Sequence, residues 1–384
     1  MSDGPLRVVV FGFDAAESSQ IRRFRGLAGC GYEVDGYTFR RENMDPGSPP
    51  SWRNVDLGRV ENEALGRRVL SLVKAVGRVW RNLGPIRRAD VVMARNFDLL
   101  LLAWTGRTLA RRPKLPLIYE CLDIHGSFTG SGLKARAFRA VERFLLKRTA
   151  LLVVSSPGFI EHYFEPVQGY RGPVRIIENK IWFDGTPPER RENAENMCGG
   201  RPWVIGWVGS LRCDPSLSIL LHTAARMGER VRIEMHGNVH HHVVPDFERR
   251  IADLPNVAYH GPYAYPEGLA EVYRGCDLVW SQDLWQRGAN SDWLLPNRIY
   301  EASYFGCLSI AVDGTQTAST VRERDLGYTI AEPSADALAS LIDGLDADEV
   351  CERRRALLAR PASEFVYAPD DLTRVVDAAM RKDR

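Results

Sequence analysis

Arg298 and Glu301 are a cation and a carboxylate three residues apart within a short segment that has a helical pattern. The apolar positions of residues 297–305 repeat as they do on one side of a helix, so Arg298 and Glu301 share one helix face. Two interpretations of the pair are open. It is either a surface ion pair of small energetic effect, or two groups that share a ligand carrying phosphates and ribose hydroxyls.

The elements on either side of this helix would position the pair. Pro296 suits the first helical position, where its missing N–H costs nothing, and Gly306 suits the position just after the helix end. The apolar run 307–312 predicts a buried strand, and residues 313–315 predict a turn. A unit of this kind offers helix N-termini and backbone N–H groups that can bind a phosphate.

A second set of reactive side chains, Asp123 and His125, follows a predicted strand in the first half of the chain. Polar residues at the carboxyl end of a strand lie where α/β folds build their sites. The two side chains project the same way if the extended pattern continues past the strand. Both are therefore candidates for general acid–base catalysis.

The order of predicted elements indicates two α/β domains of the doubly wound, Rossmann-like kind. Each half opens on a strand–helix–strand pattern, and a charged stretch rich in proline and glycine separates the halves. A chain of 384 residues is also too long for one ordinary domain. The predicted division is residues 1–184, a linker at 185–201, a second domain at 202–364, and a C-terminal helix within 365–384 that packs back on the first domain.

The net charge of +2 conceals two halves of opposite sign. Residues 1–190 contain 30 Lys and Arg against 20 Asp and Glu, whereas residues 191–384 contain 21 against 29. The first half is therefore expected to meet an anionic partner, and basic helical regions at 61–88 and 133–148 suggest peripheral contact with a membrane. Nucleic acid is not expected, because the basic residues lack the interleaved aromatics of a stacking platform.

The N-terminus does not have the pattern of a secretory signal, and no apolar run approaches the roughly 20 residues of a membrane-spanning helix. These features predict a cytoplasmic protein, with any contact at the cytoplasmic face of the inner membrane being peripheral. The cysteines contain no C-x-x-C spacing, and adjacent histidines at 240–242 do not face one another in regular structure. No metal site is expected.

In the second half, several short segments stand in the order found in the donor-sugar domain of GT-B fold glycosyltransferases. The sequence resembles the retaining, family-four type used in bacterial polysaccharide assembly, and the similarity spans about residues 203–331. The segments that carry it are Gly-Trp-Val-Gly-Ser at 206–210, the strand and glycine at 233–237, the segment 257–263, Tyr-Arg-Gly-Cys-Asp at 273–277, and Pro-Asn-Arg-Ile-Tyr-Glu at 296–301 followed by Phe-Gly at 305–306.

The resemblance implies two domains facing across a cleft and a nucleoside-diphosphate sugar, UDP- or GDP-linked, as substrate without a further cofactor. It assigns Glu301 to the ribose diol and Arg212 or Arg298 to the charge of the leaving group. The other donor-binding candidates are Gly209, Ser210, Gly237, Gly261, Asn290, Ser291, Asn297, Gly314 and Thr315. The implied acceptor is a glycan or a polyprenyl-diphosphate-linked glycan bound by the first domain.

One departure from the family pattern bears on the chemistry. Trp293 stands where family-four enzymes usually carry a second glutamate that contacts the donor sugar. Asn290 and Ser291 are the nearby polar residues proposed to hold the sugar hydroxyls instead, and the stereochemical outcome stays open. The alternatives are a sugar-nucleotide-binding protein that has lost turnover, or a GT-B epimerase that needs no acceptor.

Overall fold

The computed structural model describes residues 4–41, 50–60, 65–190 and 202–381, and these form two compact units. The first unit runs to Glu178 and also includes the chain from Ala368 onward, and the second is Asn179–Tyr367. Each unit contains a parallel sheet with helices packed on it. No helix among the described residues combines the length and apolarity needed to cross a membrane.

The first unit is built on a seven-stranded sheet in the order β3-β2-β1-β4-β5-β6-β7. Its strands are β1 Arg7–Asp14, β2 Glu33–Arg41, β3 Arg53–Val60, β4 Val91–Arg95, β5 Leu117–Cys121, β6 Leu151–Val154 and β7 Val174–Ile176. Its helices are α1 Ser18–Gly29, α2 Leu65–Arg81, α3 Gly84–Arg88, α4 Phe97–Leu109, α5 Gly126–Thr129, α6 Leu133–Leu146 and α7 Pro157–Phe159, with a π-helical turn at Ile160–Phe164.

The central strand β1 has Val8, Val9 and Val10 almost fully buried, because helices cover both faces of a parallel sheet. The chain adds β2 and β3 on one side of β1 and β4 to β7 on the other. This reversal of strand order opens a crevice at the carboxyl ends of β1 and β4, the usual ligand position in such sheets.

A buried ionic cluster lies at that carboxyl edge. Arg95 at the end of β4 and Arg23 on α1 both donate to Glu120 on β5, with shortest N–O distances of 2.8 and 2.5 Å. Burial alone would raise the pKa of Glu120, but the two guanidinium groups outweigh it and lower the pKa to about 2. The carboxylate therefore stays ionised and ties α1 to two adjacent strands.

The second unit is built on a six-stranded sheet in the order β10-β9-β8-β11-β12-β13. Its strands are β8 Trp203–Leu211, β9 Val231–Val239, β10 Val257–Tyr259, β11 Leu278–Trp280, β12 Leu308–Val312 and β13 Gly327–Ile330. Its helices are α8 Asp214–Met227, α9 Phe247–Ala252, α10 Leu269–Arg274, α11 Asn290–Trp293, α12 Asn297–Tyr304, α13 Gln316–Glu323, α14 Ala335–Asp343 and α15 Ala347–Ala359.

The helix around Arg298 and Glu301 forms largely as its sequence predicts. Gly306 has a φ of 71° directly after the cap of α12, so it occupies the left-handed position predicted for it. Pro296 differs from the prediction, since it is the N-cap residue with extended φ and ψ and the helix begins at Asn297. The ring still fits there, because an N-cap residue is extended and a proline has no N–H to satisfy.

The boundary between the units lies earlier than the predicted residue 184. Asn179 donates to the Leu295 carbonyl and Lys180 to the Ser363 carbonyl, while Ile181 pairs with Val366 in an isolated parallel bridge. These contacts attach residues 179–184 to the second unit.

The linker and the C-terminal segment also differ from their predicted ranges of 185–201 and 365–384. Arg190 donates to the carbonyls of Tyr304, Leu357 and Arg360, so the described part of the linker packs on the second unit, and residues 191–201 lie outside the described residues. Residues 365–367 also belong to the second unit, and the C-terminal helix α16, Pro369–Met380, packs against α1, β4 and β6 of the first.

A buried ion pair fastens α15 to the second sheet. Arg354 lies 2.5 Å from Asp277 at the start of β11, and both side chains are at most 3% exposed. Arg354 also donates to the Gly306 and Cys276 carbonyls, and Asp277 accepts from the backbone N–H of Val204 on β8. Each charged group is thus hydrogen-bonded on several sides, as a buried pair requires.

Replacing Arg354 with alanine should leave the Asp277 carboxylate buried without its cation. We expect Arg354→Ala to lower the free energy of unfolding by about 3–5 kcal/mol, measured by urea denaturation. The neighbouring Arg355 is exposed, so Arg355→Ala is the matched control and should stay within about 0.5 kcal/mol of the wild type. Equal effects of the two substitutions would contradict a structural role for the buried pair.

Candidate active site

The carboxyl edge of the second sheet gathers the donor-binding candidates. Gly209 and Ser210 lie near the end of β8, Gly237 lies near the end of β9, and Gly261 follows β10. The turn that contains Gly314 and Thr315 follows β12, and α12 begins in the connection between β11 and β12. Because all six strands are parallel, these segments leave the sheet at the same edge.

Glycine is required at Gly237 by a close backbone contact. Gly237 pairs with Gly209 in the β8–β9 register, has a φ of 130°, and donates its N–H to the Gly261 carbonyl at 2.8 Å. A Cβ atom at this position would lie 1.8 Å from the Gly209 carbonyl oxygen. Glycine at 237 therefore lets the ends of β8 and β9 approach where a side chain would not fit, and its N–H joins them to the segment after β10.

Ser210 and Arg212 follow Gly209 along the chain, and their side chains contact residues of two other loops. The Ser210 hydroxyl lies 2.8 Å from Nε2 of His240. The Arg212 guanidinium lies 5.1 Å from the ring centre of Trp285, which is 44% exposed. A cation over an exposed aromatic ring suits a site for a charged, planar ligand.

Glu301 is not a surface charge. It is 3% exposed on α12 and accepts a 2.8 Å hydrogen bond from the Tyr273 hydroxyl of α10. Burial and the Glu301 carboxylate raise the pKa of Tyr273 well above its ordinary value, so the phenol stays protonated as a donor. Arg298, on the same helix, donates to the Trp280 carbonyl at the end of β11, 3.1 Å away.

The turn after β12 is held by its own hydrogen bonds. The Thr315 hydroxyl accepts from the Ala318 N–H as the N-cap of α13 and donates to the Val312 carbonyl at 2.8 Å. The buried side chain of Gln282 accepts from the Val312 N–H and lies 3.2 Å from the Thr315 hydroxyl. The hydroxyl thus shapes the turn, and the part of this segment suited to a phosphate is the backbone at Gly314 and Thr315.

The residues proposed to hold sugar hydroxyls lie in the connection between β11 and α12. Asn290 and Ser291 are 5% and 1% exposed on α11, and Asn297 is half-buried at the first position of α12. The Ser291 hydroxyl donates to the Asp283 carboxylate at 2.5 Å and accepts from the Gln286 N–H at 2.7 Å. Ser291 is therefore engaged in ordering this connection.

Asp123 and His125 lie in the first unit, just after β5. Both are exposed, and Ile124 between them is buried, so the alternation of the strand continues past its end. Nδ1 of His125 accepts from the Ser127 N–H as the N-cap of α5. The imidazole is thereby fixed in orientation through one ring nitrogen.

Sequence reasoning did not single out the side chains of Tyr273, Gln282, His240 and Trp285 as partners in this site. Tyr273 belongs to the motif at 273–277, and a tyrosine just before a buried strand has a hydroxyl that needs a hydrogen-bond partner. Gln282 follows a buried strand directly, a position that also favours a role at the sheet edge. The contacts of His240 and Trp285 depend on the fold and had no local signal.

Two doubly wound parallel sheets, with a glycine-lined edge and a buried helix glutamate in the second, are the features of a GT-B fold glycosyltransferase. Residues 22–180 match the family described as glycosyl transferase 4-like domain. The succinoglycan biosynthesis protein ExoL of Rhizobium meliloti (strain 1021) is 34% identical over 347 residues, which cover 88% of this chain and 85% of that protein. The chain belongs to this family and is a glycosyltransferase.

Solved structures share the fold along almost the whole chain. Anabaena HepE in complex with UDP and glucose superposes with a TM-score of 0.69 at 15% identity and covers 96% of this chain and 98% of its own. Sucrose-phosphate synthase from Thermosynechococcus elongatus has a TM-score of 0.70 at 16% identity, with 96% and 97% coverage. At these identities the likeness confirms the predicted GT-B fold and carries no residue role.

Replacing Gly237 with alanine should push β9 away from β8. The Cβ clash and the positive φ together should lower the free energy of unfolding by about 2 kcal/mol or more, measured by urea denaturation. The matched control is Gly275→Ala, where φ is negative and an added Cβ meets no atom within 4 Å. A Gly237→Ala protein as stable as this control would show that the close contact is not needed.

Proposed function

We propose that the carboxyl edge of the second sheet binds a nucleoside-diphosphate sugar, UDP- or GDP-linked, and that no metal or further cofactor takes part in transfer. The observation that carries this proposal is the buried Glu301 carboxylate, held by Tyr273 beside the glycine-lined strand ends. Burying a carboxylate is costly unless it is hydrogen-bonded, so its place at a ligand edge favours a function. The ribose diol supplies two donors to such a group.

The other donor groups are assigned by their chemistry. Backbone N–H groups at Gly209, Ser210, Gly314 and Thr315 would contact the diphosphate, and Arg212 and Arg298 would stabilise the charge that develops on it as the bond to the sugar breaks. Gly237 and Gly261 would line the nucleoside, with Asn290, Ser291 and Asn297 near the sugar. The structure of HepE with UDP-glucose shows that a protein of this fold binds such a donor.

The acceptor is proposed to be a glycan or a polyprenyl-diphosphate-linked glycan, in exopolysaccharide or cell-surface polysaccharide synthesis. The name of the ExoL relative, a succinoglycan biosynthesis protein, supports this pathway, and the positive charge of residues 1–190 suits an anionic lipid-linked substrate. Asp123 and His125, at the carboxyl edge of the first sheet, are the candidates to contact the acceptor hydroxyl.

The donor proposal predicts that a nucleotide stabilises the protein through Glu301. UDP or GDP at one hundred times its dissociation constant should stabilise the folded state by about 2.7 kcal/mol, seen as a rise in melting temperature that persists in EDTA. Glu301→Ala should remove the rise. If no nucleotide raises the melting temperature, or Glu301→Ala keeps the full rise, the assignment is wrong.

Glu271 gives the matched control for this experiment. It lies exposed on α10, the helix that carries Tyr273, so Glu271→Ala should leave the nucleotide effect unchanged. A loss in both variants would point to a general electrostatic effect on anion binding.

The membrane contact is proposed to occur through one face of α2. Leu70, Val73 and Trp80 are 55%, 63% and 64% exposed, and their spacing puts them on one side of the helix together with the exposed Lys74 and Arg81. The opposite side carries the buried Ala75 and Val79 and packs on β3 and α4. An apolar stripe flanked by cations fits an anionic membrane surface at the cytoplasmic face of the inner membrane.

Vesicle sedimentation tests this face. The wild type should bind phosphatidylglycerol vesicles more tightly than phosphatidylcholine vesicles at low salt, and the double change Val73→Ser and Trp80→Ser should weaken binding about tenfold or more through lost apolar burial. Leu133→Ser is the control, because Leu133 is 80% exposed at the start of α6, another basic helix. A loss with Leu133→Ser alone would contradict the assignment to α2.

A further inference from the structure

Three potential metal ligands converge at one end of the second sheet. Glu234 and His236 stand two residues apart on β9 and therefore point to the same face. His260 follows β10 directly and donates its backbone N–H to the Met235 carbonyl at 2.9 Å, so the strand pairing brings it beside them. One ligand atom from each of the three lies within 4.8 Å of the others.

The contacts within this cluster are polar and specific. Nε2 of His260 contacts Oε2 of Glu234, and the rings of His236 and His260 are stacked with their centres 4.5 Å apart. The other carboxylate oxygen, Oε1 of Glu234, lies 2.5 Å from Nε of Arg232. Glu234 is only 12% exposed in its side chain, whereas His260 is 44% exposed and open to solvent.

We propose that Glu234, His236 and His260 bind one divalent transition-metal ion of the zinc class. Two imidazoles and one carboxylate are a ligand set that suits this class, and water would supply the fourth position. In tetrahedral geometry with bonds of about 2.1 Å, ligand atoms stand about 3.4 Å apart. The three atoms lie within 4.8 Å of one another, so binding would require the exposed His260 side chain to turn toward the other two ligands.

The surroundings of the cluster match what a ligand set needs. The ion would take the place of the hydrogen shared by His260 and Glu234, while Arg232 continues to hold the second oxygen and so orients the carboxylate.

The consequence of the site would be structural. A bound ion would join β9 to the segment after β10, the edge strand of the sheet, next to the hydrogen bond from Gly237 to the Gly261 carbonyl. This site adjoins the proposed donor site at Gly237 and Gly261, but binding of the ion requires neither nucleotide nor transfer. The adjacent histidines at 240–242 contribute nothing to it.

Titration with metal alone tests the proposal. The full chain is stripped with EDTA, freed of chelator, and titrated with Zn²⁺ by calorimetry; one ion should bind per chain. Glu234→Gln and His260→Ala should each weaken that binding about a hundredfold or more, since losing a ligand costs at least as much as losing a second-shell partner. Co²⁺ should give the visible absorption of a four-coordinate site in the wild type and lose it in both variants.

His241→Ala is the matched control, because His241 also faces a glutamate, Glu248 at 3.8 Å, but lies outside the cluster. It should bind Zn²⁺ as the wild type does. Melting temperatures in EDTA check that the variants fold. No stoichiometric binding by the wild type, or binding that keeps its wild-type affinity in the two cluster variants, would overturn the site and leave a plain contact between Glu234 and His260.

Discussion

The close approach of β9 to the carbonyl of Gly209 is the constraint on which the carboxyl edge of the second sheet depends. Two adjacent parallel strands meet there at glycines, and an atom the size of a methyl group at Gly237 does not fit. Glycine at this position therefore lets the ends of β8 and β9 approach more closely than any side chain would allow. On the proposed function, backbone N–H groups at Gly209, Ser210, Gly314 and Thr315 of the same edge would contact the diphosphate.

Buried carboxylates attach helices to the sheet in each unit. Their hydrogen bonds and ion pairs replace the hydration that the charged groups lose on burial. Glu120 in the first unit is held by two guanidinium groups, and Asp277 in the second by Arg354 and a backbone N–H. Glu301, on α12 of the second unit, is also hydrogen-bonded although buried, since it accepts from the Tyr273 hydroxyl of α10.

Local sequence patterns were sufficient to predict the regular helices and the central strands. The apolar periodicity of residues 335–343 and 369–380 predicts helices with these bounds, and α14 and α16 have them. α12 ends within one residue of its predicted end at 305. β3 and β7 were not predicted. Both lie toward the edges of the sheet and are polar or short, so their strand conformation comes from pairing with a neighbour rather than from a buried apolar run.

Some residues of the candidate site could be predicted from the sequence and others could not. Glycines and the Arg298–Glu301 helix could be identified from type and spacing, since each has a local geometric reason. The choice between a surface pair and a buried functional carboxylate could not be made, because it depends on Tyr273, which lies 28 residues earlier in the chain. The Glu234–His236–His260 cluster also could not be predicted from the sequence, because only the pairing of β9 with β10 brings His260 close to β9.

The connection between β11 and α12 bears directly on how a sugar is selected without a second glutamate at position 293. Its polar groups are already bonded to one another: Asp283 accepts from the Ser291 hydroxyl and the Trp285 N–H, and Asp292 accepts from the Gly288 N–H. On the proposed function, a sugar hydroxyl that displaced one of these bonds would contribute to affinity only the difference between the two bonds. Selectivity at this point would then depend on which sugar reproduces the geometry of the displaced bond.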